Sequence, residues 1–142
     1  MLALALITLL LHGALLGLFY AFSMSVMPGL NAIDPAHAGA AMCSINRKIL
    51  NPWLFLVFLG SPVAALVTGI VTGSVWFYAA AVVNGVGSFL VTGAINVPMN
   101  NALDAGTMPY QKYAPRWTRW NTIRAVACAV SLVLTGIGLT AL

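Results

Sequence analysis

The chain has 142 residues, 61% of them apolar and only 6% charged, whereas a water-soluble domain carries about a quarter charged residues. Water cannot solvate such a surface, which leaves lipid as the solvent for most of the chain and excludes a soluble globular protein. A net charge of +4 would suit a nucleic-acid binder in a soluble context. Here the six basic residues (Arg47, Lys48, Lys112, Arg116, Arg119 and Arg124) gather around the connections, no nucleic-acid-binding motif is present, and that partner is set aside.

A spanning helix needs about 20 apolar residues, so four to six spans would fit, and the punctuation selects four. The expected fold is an all-α membrane protein: one domain over 1–142, with four transmembrane helices at about 3–27, 53–71, 75–97 and 120–142. The first apolar run has no basic start and continues past residue 20, which reads as a retained helix rather than a secretory signal. It is expected to stop at Pro28-Gly29. A short interfacial helix follows over Ala36–Ile49, and Asn51-Pro52 caps and starts the second span. Pro62 should bend that span. Thr72-Gly73-Ser74 makes a tight turn, and Pro98 is expected to end the third span. The last helix is expected from about Pro115 to Leu142, with its first two turns in the interface.

The connections are unequal. Both long ones lie on one face and carry every Lys and Arg; the other face has the termini and a bare turn. The positive-inside rule makes the long-connection face cytoplasmic, in a bacterial plasma membrane, with the termini outside. Cys43 and Cys128 show neither metal nor redox spacing.

Residues capable of chemistry crowd onto the same basic face. In the last helix Trp117, Trp120/Asn121, Arg124, Cys128 and Ser131 recur at three- and four-residue steps and share one side. Arg124 is either a functional cation, since an ionisable group within a span is costly, or a side chain snorkelling to phosphates. Trp117 and Trp120 are an interfacial belt or a ligand platform. Asn46, Asn51, Asn96, Asn100 and Asn101 exceed what caps require. His12 and Asn84 lie at similar depth in parallel spans, so His12 is either hydrogen-bonded to Asn84 or a general base. His37 reads as a surface residue. Two histidines without acidic neighbours at ligand spacing give no metal centre. Gly13 and Gly17 form a GxxxG face that could pack the bundle or a second copy of the chain.

Four stretches, taken together and in order, resemble a known family. They are Phe22-Ser23 through Met27-Pro28-Gly29-Leu30; Ala41-Met42 through Ile45-Asn46 to Asn51-Pro52; Asn96-Val97-Pro98-Met99-Asn100; and Trp117 through Trp120-Asn121 to Arg124. The chain resembles the anthrone oxygenase-like family of small four-span membrane proteins, the domain of unknown function 1772. Some fungal members are associated with oxidation of anthrones to anthraquinones without a bound cofactor, while most bacterial relatives have no assigned activity. The resemblance implies an anthrone-type monooxygenase with no cofactor, acting on a flat, hydrophobic phenolic molecule reached from the bilayer. Arg124, His12 and Asn121 would be catalytic, and Trp117, Trp120, Asn96, Asn100, Asn46 and Asn51 would bind substrate. The rival reading is a non-catalytic binding or accessory subunit for a quinone, a lipid or a partner protein. A small transporter is a third, weaker for want of an inverted repeat.

Overall fold

The computed structural model describes residues 1–142, with no strand and four helices long and apolar enough to cross a membrane. We label them α1 (Leu2–Asn31), α3 (Pro52–Thr72), α4 (Val75–Asp104) and α5 (Tyr110–Thr140), with a shorter α2 (Pro35–Lys48) between the first two. The spans form a ring in the order α1, α5, α4, α3, so that every neighbour is antiparallel and the pairs α1/α4 and α3/α5 face each other diagonally.

Local chemistry sets most of the ends. Asn51 accepts from the backbone N–H of Trp53 and Leu54 at 3.0 and 3.1 Å, and its amide donates to the Lys48 carbonyl at 2.9 Å. This one side chain closes α2 and opens α3, with Pro52 at the first helical position. Asp34 caps α2 in the same way, accepting from Ala36 at 2.9 Å. Gly73, at φ 68°, supplies the left-handed turn that joins α3 to α4.

Three helices run further than local sequence suggests. α1 continues through Pro28 to Asn31, α4 through Pro98 to Asp104, and α5 begins at Tyr110 rather than Pro115. A proline ring clashes with the carbonyl four residues earlier, at Met24 and Ala94 for the first two. Both carbonyls lie in stretches wound as wide i→i+5 turns, Phe22–Val26 and Thr92–Asn96, which move them off the ring. The gain is burial. The extra turns bring Met99, Leu103, Tyr110 and Tyr113 into a core with Met27 of α1 and Ala38 and Met42 of α2, burial worth about 1.5–3 kcal/mol for each Met or Leu. α3 also passes through Pro62 without interruption, while Ser61 donates to the Val57 carbonyl.

The outer surface is Leu, Val, Ile and Phe, and polar side chains turn inward, among them Thr8, His12, Thr68, Asn84 and Thr135. Lipid offers no hydrophobic force between helices, so close approach and hydrogen bonds hold the bundle. Thr8 meets Thr68 at 2.9 Å, tying α1 to α3, and His12 Nδ1 meets Thr135 at 3.0 Å, tying α1 to α5. Asn84 donates to Cys128 at 3.8 Å, tying α4 to α5. The expected His12–Asn84 pair is therefore absent. The two residues are on diagonal helices, and each turns to the α5 neighbour instead. Of the GxxxG pair, Gly13 packs towards Leu132 of α5 and Gly17 faces open space.

Among the glycines Gly87 is the most tightly packed, because a Cβ there would lie 2.4 Å from the Ala127 Cβ on α5. Gly87→Ala should force α4 from α5 and lower stability in detergent by about 1–3 kcal/mol. Gly85→Ala, which meets nothing within 4 Å, should be neutral or slightly stabilising. Thermal unfolding of the pair checks this; equal midpoints would contradict the packing.

A candidate functional site at the basic end of the bundle

α3 has 21 residues where the other spans have 30 or 31. The nine-residue shortfall leaves α3 about 14 Å shorter than α1 or α4 at the end where it begins. α2 crosses that gap without filling it, and a cavity of about 320 Å³ remains, lined by all five helices. That volume lies within the range of small-molecule sites.

Its walls are largely apolar and aromatic, with Phe19 and Phe22 from α1, Leu54 and Phe58 from α3, and Trp117 from α5. Phe22 and Trp117 lie 5.6 Å apart at 49°. Leu50 and Phe55 line the cavity and are also exposed, so on this side it reaches the apolar outer surface. A second, polar mouth carries Arg47 and Asp104, paired at 2.6 Å.

Arg124 forms part of the inner wall. It is 5% exposed, with its guanidinium inside the bundle rather than at the headgroups. One nitrogen donates to Thr92 Oγ1 at 3.0 Å and another to Asn121 Oδ1 at 2.8 Å. The cation lies 4.3 Å from the Phe19 ring centroid and 5.3 Å from that of Trp117, and Nε has no partner. No carboxylate neutralises it: the chain's two acids are Asp104, paired with Arg47, and Asp34, capping α2.

Asn121 is the brace. Its amide donates to the Phe19 carbonyl at 2.8 Å and to Ser23 Oγ at 2.7 Å, which leaves its oxygen aimed at Arg124. Asn100 accepts from Tyr113 Oη at 2.7 Å and from Trp117 Nε1 at 2.9 Å, fixing the indole plane against the cavity.

Five residues expected at a site thus line one cavity: Arg124, Asn121, Trp117, Asn100 and Asn46. Four expected ones do not. His12 lies seven residues before Phe19 on α1, about 10 Å deeper, and bonds Thr135. Asn51 caps α3. Trp120 packs on the α2 core. Asn96 is buried behind the wall, with neither amide atom partnered. Trp53, at the start of α3, is the most exposed tryptophan, at 79%. Sequence reasoning did not single out Phe19, Phe58 and Thr92: the two phenylalanines carry no contrast within apolar runs, and a lone threonine in a span gives no signal of its own.

Fold and site together define a class: an integral membrane four-helix bundle whose polar interior opens into an aromatic cavity with a buried cation. The chain belongs to the anthrone oxygenase family, whose model matches residues 40–134, from within α2 to most of α5. No curated protein and no solved structure matches it.

Cys43, on α2 outside the spans, also borders the cavity. Burial raises its thiol pKa, and the Asp104 carboxylate raises it further, so at pH 8 less of it is thiolate than for an ordinary cysteine. Alkylation should therefore be slow at pH 8, accelerate with rising pH, and be faster in Asp104→Asn. Peptide-mapped iodoacetamide labelling measures this; no acceleration in Asp104→Asn would contradict the coupling.

Proposed function

We propose that the protein oxidises a flat, hydrophobic phenolic compound of the anthrone type with O₂, without a cofactor. The observation that carries this reading is Arg124, a buried cation without a carboxylate, set in the wall of an aromatic cavity. An anthrone has an acidic C–H whose loss gives an electron-rich enolate. Holding the enolate oxygen at Arg124 offsets the new charge in a site of low dielectric. The rings would lie between Trp117 and the phenylalanines, and substrate would arrive from the bilayer past Leu50 and Phe55.

The electrons balance without a metal or flavin. The enolate passes one electron to O₂, and the resulting carbon radical and superoxide combine into a C–O bond. Loss of the second C–H proton, with cleavage of the O–O bond, leaves the new carbonyl and water. One CH₂ and one O₂ become one C=O and one H₂O.

The basic residues on the cavity end support an orientation with that end cytoplasmic, in a bacterial plasma membrane. A second reading, a binding or accessory protein without turnover, is favoured by one feature: no imidazole lines the cavity, since His12 lies below it.

Oxygen uptake by purified protein with an anthrone separates the two readings. Turnover should exceed the protein-free rate, and Arg124→Ala should lower it by about 100-fold, the typical effect of losing an oxyanion donor. Equal rates in wild type and Arg124→Ala, or none above background, would overturn the oxidative reading. A ligand recovered unaltered would then favour binding alone.

A further inference from the structure

On α4, Asn84, Ser88, Thr92, Asn96, Asn100 and Asp104 follow one another at four-residue steps. In an unbroken α-helix each such step overshoots a full turn by about 40°. Five steps would rotate Asp104 about 200° from Asn84. The wide turns at Gly85–Leu90 and Thr92–Asn96, six and five residues long, wind more slowly and take up that drift. The partners confirm a single face. Asn84 meets Cys128, Thr92 meets Arg124, and Asn100 meets Trp117, all on α5.

This polar file links the buried cation to the polar mouth. Thr92 touches Arg124. Asn96 is buried, and both its amide atoms lack a protein partner, as does Thr118 Oγ1 on α5. Such groups normally hold water. Asn100 follows, then Asp104, whose side chain is 53% exposed and held by Arg47. Asp104 is the one carboxylate lining the cavity, and no histidine lines it. Thr92 and Asp104 are twelve residues apart, about 18 Å along a helix. Asp104 therefore cannot reach a substrate carbon whose oxygen lies on Arg124.

We propose that Asp104 is the proton outlet of the site, reached from the inner cavity along the α4 face through water held at Asn96 and Asn100. This inference rests on the oxidative reading above. When the substrate C–H bond breaks, its electron pair stays as the enolate and its proton passes outward to Asp104. As the O–O bond breaks, the second C–H proton goes to the departing oxygen, and the first returns from Asp104 to that hydroxide to give water, so Asp104 is unchanged over a cycle. Arg47 is a positioning residue that keeps the carboxylate at the mouth.

The experiment is anthrone-dependent oxygen uptake in detergent over a range of anthrone concentrations reaching saturation, with and without added formate. Wild type should be indifferent to formate. Asp104→Asn should lose about 10- to 100-fold in kcat at unchanged KM, and formate, a small diffusible proton acceptor, should restore much of it. Asp104→Glu should retain turnover. Asn96→Leu, which blocks the file upstream, should lose kcat without rescue. Wild-type turnover with an unimpaired Asp104→Asn, or an impairment that formate leaves untouched, would overturn the proton outlet while sparing the oxidative reading. Absence of wild-type turnover would overturn both.

Discussion

A guanidinium within a membrane protein has to be compensated by an opposite charge, by water or by a ligand. Arg124 has two neutral hydrogen bonds and two aromatic faces but no carboxylate. Breaking a buried pair by removing one partner costs about 3–5 kcal/mol, and here the partner is missing from the outset. Much of the surrounding order serves to hold this cation. Asn121 is pinned by the Phe19 carbonyl and Ser23 so that its oxygen faces the guanidinium. Trp117 is pinned by Asn100 so that its ring lies beneath it.

The space around the cation arises from a mismatch in length. α3 just covers the hydrocarbon at about 32 Å, whereas α1, α4 and α5 reach about 45 Å. The longer helices carry their prolines through wide turns in two of three cases, and α2 ties their ends together. The ring is therefore closed at the bare end and open beside α3 at the basic end. One side of the opening is bordered by the exposed apolar side chains of Leu50 and Phe55 and another by the Arg47–Asp104 pair; under the oxidative reading proposed above, the first would admit an apolar substrate and the second would pass its protons.

Legibility in the sequence followed contrast. Polar caps and turns stand out within apolar runs, so the Asn51-Pro52 start and the Thr72-Gly73-Ser74 turn could be read directly. The polarity of the bundle, with Asn, Trp and Arg at one end, was readable for the same reason. The continuation through Pro28 and Pro98 was not, because the local rule against internal proline yields here to packing of Leu30, Met99 and Leu103 on the α2 core. His12 and Asn84 show how depth alone misleads: depth can be counted along a helix, but ring order cannot, and the two lie across a diagonal. Phe19 and Phe58 are invisible among other apolar residues until the cavity exists. Asn100 and Asn96 looked equivalent, yet one orients a tryptophan and the other has no protein partner.

The central claim, that Arg124 holds an anion in an aromatic cavity, can be tested without turnover. A hydroxyanthraquinone changes colour when its phenol ionises, so its ionisation can be followed by absorbance in the bound state. An uncompensated cation beside the phenol favours the anionic form. Bound to wild type, the dye should ionise at lower pH than in empty detergent micelles. In Arg124→Gln the shift should vanish while binding through the aromatic walls persists. An equal shift in both proteins, or ionisation made harder by the wild-type site, would contradict the account.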